Sequence, residues 1–229
     1  MRKLVTALAA ALVLASPGAG AQLRAPTPAR PDAMMSALTA EVMAVLDKDP
    51  SAARSGELAR LVDSRIAPVF DFERMTRLAL ARNWRLASPG QQAELAAQFK
   101  ALLVRTYSQA LLGLRGQAVE FRPLRAAPGE TEVTVRSLMR RSGVEPLTID
   151  YEMADGPSGW RVFDVQIAGA SLVLNYRESF AATVRAEGID GLIRALEDRN
   201  RQNAASTASA ADTLAPVLLL QGAARGPRP

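Results

Sequence analysis

The chain has 229 residues, contains neither cysteine nor histidine, and carries a formal net charge of +5. Those two absences exclude disulfides, thiolate nucleophiles, Ser-His-Asp and Cys-His catalysis and the ordinary zinc sites, leaving carboxylates, Tyr and Lys for any acid–base work. The charge excess sits at the two ends, since residues 22 to 198 balance at 22 basic and 22 acidic side chains, so no basic stripe marks a nucleic-acid face.

In chain order, Arg2 and Lys3 precede an apolar run from Leu4 to Leu14. Ser16-Pro17-Gly18 then breaks the run before the small-x-small triplet Ala19-Gly20-Ala21. That order predicts a cleavable secretory signal over residues 1–21, with a mature chain beginning near Gln22 in the periplasm. The apolar run is too short to span a bilayer core of about 30 Å. Residues 22–31 are rich in Pro and Ala and read as a flexible lead-in. Residues 32–199 have the length of one domain, and residues 200–229, dominated by Ala, Gln, Asn, Ser, Thr, Gly and Pro, read as a disordered tail.

The domain opens with helical periodicity. Met34, Leu38, Val42, Val45 and Leu46 form one apolar stripe, and Leu58, Leu61, Val62, Ile66 and Val69 form another. Asp71 reads as the N-cap of a third helix. Ser88-Pro89-Gly90-Gln91 places an N-cap Ser, a Pro at the first helical position and a Gln at the capping-box position. The long helix it launches carries Leu95, Phe99, Leu102, Leu103, Tyr107, Ala110 and Leu111 on one face, with Gly113 as the expected stop.

The period then drops to two. Val119 and Phe121, Val133 and Val135, then Leu147, Ile149, Tyr151 and Met153, and finally Phe163, Val165 and Ile167 alternate with polar neighbours. Such alternation gives an antiparallel sheet with one covered and one solvated face, and it puts Asp150, Glu152 and Asp164 on the solvated side. Pro128-Gly129, Ser142-Gly143 and Gly156-Pro157-Ser158-Gly159 supply the turns. Two helices follow, Tyr176 to Glu187 and Ile189 to Arg199, divided by Gly188. The expected fold class is therefore α+β, with helices packed on a curved antiparallel sheet of about four strands. Periodicity alone leaves open whether the space between the layers is a filled core or an apolar pocket.

Two blocks resemble a known family. Pro68-Val69-Phe70-Asp71-Phe72-Glu73-Arg74-Met75, with Arg77-Leu78-Ala79-Leu80 and Asn83-Trp84-Arg85, is similar to the signature of the MlaC family, also called toluene-tolerance proteins. That signature usually has Gly after the Leu matching Leu80, where this chain has Ala81. The second block runs Gly159-Trp160-Arg161-Val162-Phe163-Asp164-Val165, Gly169, Ser171-Leu172-Val173 and Asn175-Tyr176-Arg177, with Phe180, Gly188, Gly191-Leu192-Ile193 and Leu196 after it. The resemblance spans residues 35 to 199. It implies an NTF2-like fold and a soluble periplasmic protein that carries phospholipid as cargo, with no cofactor and no catalysis. It also implies two protein partners: an outer-membrane MlaA-like lipoprotein–porin complex, and the MlaD-like MCE-domain subunit of an inner-membrane ABC transporter.

A carrier of this kind needs apolar walls, because each buried CH₂ contributes about 0.8 kcal/mol. The expected lining pool is Phe70, Phe72, Met75, Phe99, Leu103, Tyr107, Ile149, Tyr151, Phe163, Val165, Leu172 and Tyr176. Arg177, Arg140 and Arg141 are the candidates for a phosphate head group, since a guanidinium pairs well with phosphate. Gly169-Ala170-Ser171-Leu172-Val173 looks superficially like a nucleophile elbow, but it lacks the second Gly and any histidine, so it reads as a turn. The rival reading is an enzyme on the same scaffold, using a pocket carboxylate with Tyr151 or Tyr107. A protein-interaction adaptor with a densely filled core is the third.

Overall fold

A computed structural model describes residues 30–48, 60–112, 115–127, 129–141 and 144–209. The expected signal segment, most of the lead-in, Ser142-Gly143, Gly113 and residues 210–229 lie outside the described residues. The elements run α1 (Pro31–Lys48), α2 (Phe72–Leu80), α3 (Pro89–Leu112), five strands, and α4 (Arg177–Ser209). The strands are β1 (Ala118–Phe121), β2 (Glu132–Arg141), β3 (Val144–Ala154), β4 (Arg161–Ile167) and β5 (Ala170–Ser171). They form one antiparallel sheet in chain order, so the α+β expectation holds and a two-residue fifth strand is added.

The capping chemistry read from the sequence is present atom by atom. The Ser88 N–H donates to Gln91 Oε1 at 2.9 Å, and the Gln91 N–H donates to Ser88 Oγ at 3.3 Å, closing the box at the start of α3. The Arg74 N–H donates to Asp71 Oδ1 at 2.9 Å, which caps α2. The second helical stripe is less regular than its periodicity suggests. Residues Val62–Ile66 form a π-helical turn and Ala67–Val69 a 3₁₀ turn, which delivers Phe70 and Asp71 to the edge of β4. There Phe70 bridges Val162 in parallel, and the Asp71 N–H donates to the Val162 carbonyl at 2.8 Å.

Gly188 has φ 72° and ψ −172°, so α4 is two helical segments joined at a break, as the glycine predicts. The second segment continues to Ser209, beyond the boundary expected at Arg199. Asn200 explains part of that extension. It is buried, and its Nδ2 donates to the carbonyl of Gln98 at 3.0 Å and to Gln98 Oε1 at 2.8 Å, while Arg105 Nη1 donates to the Asn200 carbonyl at 2.9 Å.

Position 81 gives physical content to the departure from the family signature. Ala81 ends α2 with φ 50° and ψ −123°, a conformation that a Cβ makes costly and glycine adopts freely. The residue is exposed, so its methyl group makes little compensating contact. Ala81→Gly is therefore expected to stabilise the fold by about 1 kcal/mol, with the entropy of the unfolded glycine offsetting part of the relieved strain. Urea unfolding of the two proteins side by side measures this directly, and a destabilised glycine variant would show that the conformation carries no strain.

Candidate functional site

The strand registers decide which side chains face the helices. Val133 pairs with Met153, Val135 with Tyr151, Ser137 with Ile149 and Met139 with Leu147. On the next strand, Tyr151 pairs with Val165 and Ile149 with Ile167. These residues share one face of the sheet, and all but Ser137 have apolar or aromatic bodies. The Ser137 hydroxyl donates to the Ile149 carbonyl at 2.8 Å, so the one aliphatic hydroxyl on this floor is already satisfied.

Burial along that face is graded. Val133, Val135, Met153 and Val162 are buried, forming with Met35 of α1 a sheet-side cluster. Toward the other end, Leu147, Ile149 and Ile167 are only half-buried. At that end Met139 and Ser137, the cross-strand partners of Leu147 and Ile149, are still buried, so only part of the floor there reaches the surface.

A second apolar cluster belongs to the helices. It gathers Met75, Leu80, Leu95, Phe99, Leu102, Leu103, Leu172, Val173, Phe180, Leu192 and Leu196, with Phe72, Tyr107 and Tyr176 packed at its margin. Phe99 is its centre, fully buried, with Tyr176 edge-on at 5.0 Å and Phe180 edge-on at 5.2 Å between centroids. Phe70 and Val165 touch both clusters, and Phe70 stacks on Phe72 at 5.8 Å. They mark the seam between the helical layer and the sheet.

Most of the expected lining residues thus gather on the two sides of this seam. Met75, Phe99, Leu103 and Leu172 are buried in the helical cluster, while Phe72, Tyr107 and Tyr176 stand at its edge. Tyr151 stacks on Phe121 at 6.2 Å in the sheet cluster, and Ile149 lies on the open part of the floor. Phe163 is placed apart. The β3–β4 register shifts between Glu152, opposite Asp164, and Met153, opposite Val162, which leaves Phe163 as the extra residue of a bulge. Its half-buried ring carries the Arg74 guanidinium at 3.6 Å from the centroid. Strict alternation had set Phe163 on the inner face; the bulge gives that place to Val162. The adjacent apolar pair Val162-Phe163 was the signal in the sequence.

The three head-group candidates part ways. Arg177 is exposed and its Nη2 donates to the Leu78 carbonyl at 2.9 Å, completing the C-terminal turn of α2. Arg140 is exposed on the opposite face of the sheet, where its Nε donates to Glu120 Oε1 at 3.0 Å. Arg141 closes β2, and its side chain lies outside the described residues.

The polar groups near the seam are held in fixed states. Burial pushes the Tyr151 phenol up to about 12 from its ordinary 10.0, and burial raises Tyr107 and Tyr176 as well. All three are neutral phenols at physiological pH. Asp164, expected on the solvated side, is buried instead. Its Oδ1 accepts from the Val165 N–H at 2.8 Å and the Val173 N–H at 3.1 Å, and its Oδ2 accepts from the Ser171 hydroxyl at 2.5 Å. The carboxylate ties the β4–β5 corner to the start of the last helical unit. Among the described residues, no group of three or more acidic side chains is arranged to hold a metal ion.

The comparisons with known proteins agree with this geometry. The MlaC protein family model matches residues 36–198. The chain is 22% identical over 148 residues to the intermembrane phospholipid transport system binding protein MlaC of Haemophilus influenzae, covering 63% of this chain and 69% of that protein. It is 38% identical to a phospholipid-binding protein from Ralstonia solanacearum, solved in complex with a phospholipid. That superposition has a TM-score of 0.68 and covers 76% of this chain and 98% of the other. The order of the two sequence blocks, the α+β architecture and these matches lead to one assignment: the chain belongs to the MlaC family.

Proposed function

We propose that this protein is a non-catalytic phospholipid carrier of the periplasm, holding the acyl chains of its cargo in the seam between the helices and the sheet. The observation that carries the reading is the continuous apolar floor under the helices, buried at Val133, Met139, Met153 and Val162 and half-buried at Leu147, Ile149 and Ile167. An apolar layer flanked by aromatic and aliphatic side chains suits acyl chains, whose transfer from water is favourable by about 0.8 kcal/mol per CH₂. The charged head group would stay at the half-buried Leu147 side, in contact with water.

Family membership supports the rest of the route. The carrier would exchange phospholipid between an outer-membrane MlaA-like lipoprotein–porin complex and the MlaD-like MCE-domain subunit of an inner-membrane ABC transporter. The relatives named above bind phospholipid or belong to an intermembrane phospholipid transport system by their own descriptions. The enzyme reading finds little support in the side chains. Asp164 spends both carboxylate oxygens on fixed donors, and Tyr107, Tyr151 and Tyr176 are held protonated, so none is poised as a base near neutral pH.

Ile149→Arg tests the seam itself. Ile149 is half-buried, so an arginine there can keep its head group in water while crossing the apolar floor. The variant is expected to fold and to purify with at least about tenfold less bound phospholipid than the wild type, as read by native mass spectrometry with lipid extraction. Undiminished lipid in a folded Ile149→Arg protein would place the cargo elsewhere.

A further inference from the structure

Only two large hydrophobic side chains are exposed among the described residues, Leu86 at 67% and Leu174 at 47%. Both lie on short 3₁₀ segments, Ala81–Leu86 after α2 and Leu174–Tyr176 before α4. Neither belongs to the seam. The two segments adjoin through α2 and α4: Leu174–Tyr176 packs on α2, Ala81–Leu86 packs on α4, and Arg177 reaches the Leu78 carbonyl in the last turn of α2.

The same shoulder is basic. Residues 72–86 hold four arginines and one glutamate. Arg74 is occupied by Glu132 at 2.7 Å and by the Phe163 ring. Arg77, Arg82 and Arg85 are exposed, and their side chains have no ion pair or hydrogen bond among the described residues. Arg177 uses one nitrogen on a backbone carbonyl and keeps its charge uncompensated by a carboxylate. Arginines free of carboxylate partners thus stand next to each exposed leucine in the chain, Arg82 and Arg85 by Leu86 and Arg177 by Leu174, whereas on the sheet's outer face Arg140 pairs with Glu120 and Arg136 lies beside Asp150.

We propose that this shoulder binds the surface of an anionic phospholipid bilayer directly, with Arg77, Arg82, Arg85 and Arg177 on the phosphates and Leu86 and Leu174 entering the interface. The charge calls for an anionic surface, and the guanidinium fork matches phosphate oxygens. The leucines favour a bilayer over an acidic protein. They project singly from short turns, and a fluid interface accepts single apolar side chains without a matching groove. The proposal extends the carrier reading, whose protein partners are themselves embedded in membranes, but it is tested without reference to cargo.

The test is cosedimentation of the purified protein with phosphatidylcholine vesicles, with and without phosphatidylglycerol. Wild-type protein is expected to bind the anionic vesicles only and to be released by high salt. Arg82→Glu/Arg85→Glu is expected to weaken binding by at least about tenfold, at about fivefold for each arginine removed from the surface. Leu86→Ser is expected to weaken it severalfold at every salt concentration. Arg122→Glu/Arg125→Glu makes the same change of net charge at exposed positions off the shoulder and should leave binding within about twofold. Circular dichroism melts establish that each variant is folded. Equal losses from both charge-reversed pairs, or a wild type indifferent to phosphatidylglycerol, would overturn the proposal. So would a wild type that ignores vesicles but binds polyglutamate through Arg82 and Arg85, which would make the shoulder a site for an acidic protein. Lipid content measured on the same samples separates the two readings: a protein that binds anionic vesicles yet never carries lipid refutes the carrier and leaves the shoulder intact.

Discussion

Phe99→Ala is expected to lower the free energy of unfolding by about 3–5 kcal/mol, the range for removing a fully buried aromatic side chain. Phe99 has no exposed surface and holds two aromatic neighbours, Tyr176 and Phe180, in edge-on contact. Its loss removes the transfer free energy of the ring and leaves a cavity where α3 meets α4. The surrounding layer collapses only partly, because Leu95, Leu102 and Leu103 are fixed on the same helix. Against a typical total of about 5–15 kcal/mol, this is a large share of the stability. Urea unfolding followed by circular dichroism checks it, and a loss under about 1 kcal/mol would mean that Phe99 is not the centre of a packed cluster.

Asp164→Ala is expected to cost about 2–4 kcal/mol, by a different mechanism. The carboxylate serves three donors: the N–H groups of Val165 and Val173 and the hydroxyl of Ser171. Alanine leaves these donors without their partner in a place that water reaches poorly, and each such buried donor costs about 1–3 kcal/mol, reduced where the corner relaxes to admit solvent. Asp164→Asn keeps an acceptor oxygen and is expected to recover part of the loss. The damage should be local first. Amide hydrogen exchange at Val173 and the residues leading into α4 is expected to accelerate more than exchange at Val135 in the middle of the sheet. Uniform acceleration would argue against the role of Asp164 as the tie between β4 and the last helical unit.

These two positions also show what the sequence makes legible. Phe99 is found by periodicity, because a long helix with a capping box at Ser88 and Gln91 presents a continuous apolar stripe. Local rules of this kind also place Asp71 as an N-cap, Gly188 as a helix break and the alternating faces of β1, β2 and β3. The burial of Asp164 is missed by the same rules. Its side of the strand is the expected one, opposite Glu152, but the β4–β5 corner folds over it with Ser171 and Val173, a contact no local pattern encodes. The bulge is a separate departure that moves Phe163, and the adjacent Val162 and Phe163 are its local sign.

Other differences have the same origin. The continuation of α4 past Arg199 rests on Asn200 meeting Gln98, more than a hundred residues earlier in the chain, so composition alone reads that stretch as tail. The π-helical turn at Val62–Ile66 shares its apolar spacing with an ordinary helix and is invisible to periodicity. For the candidate site, the apolar residues were legible and their arrangement was not. Alternation selects Ile149 and Tyr151, but which floor residues are buried and which stay half-buried appears only when helices are laid on the sheet. Arg140 fits a head-group role by composition, and its pairing with Glu120 on the outer face follows from β1–β2 register. Ala81 shows the reverse case, in which a residue that departs from a family signature is explained only by its backbone angles.

Native mass spectrometry of protein purified from a bacterial periplasm shows whether the seam between helices and sheet holds a phospholipid. The expected result is a stoichiometric mass increment matching a co-extracted diacyl phospholipid, present in the wild type and lost from folded Ile149→Arg. A wild-type protein that carries no lipid, and that also fails to load from phospholipid liposomes, would contradict it.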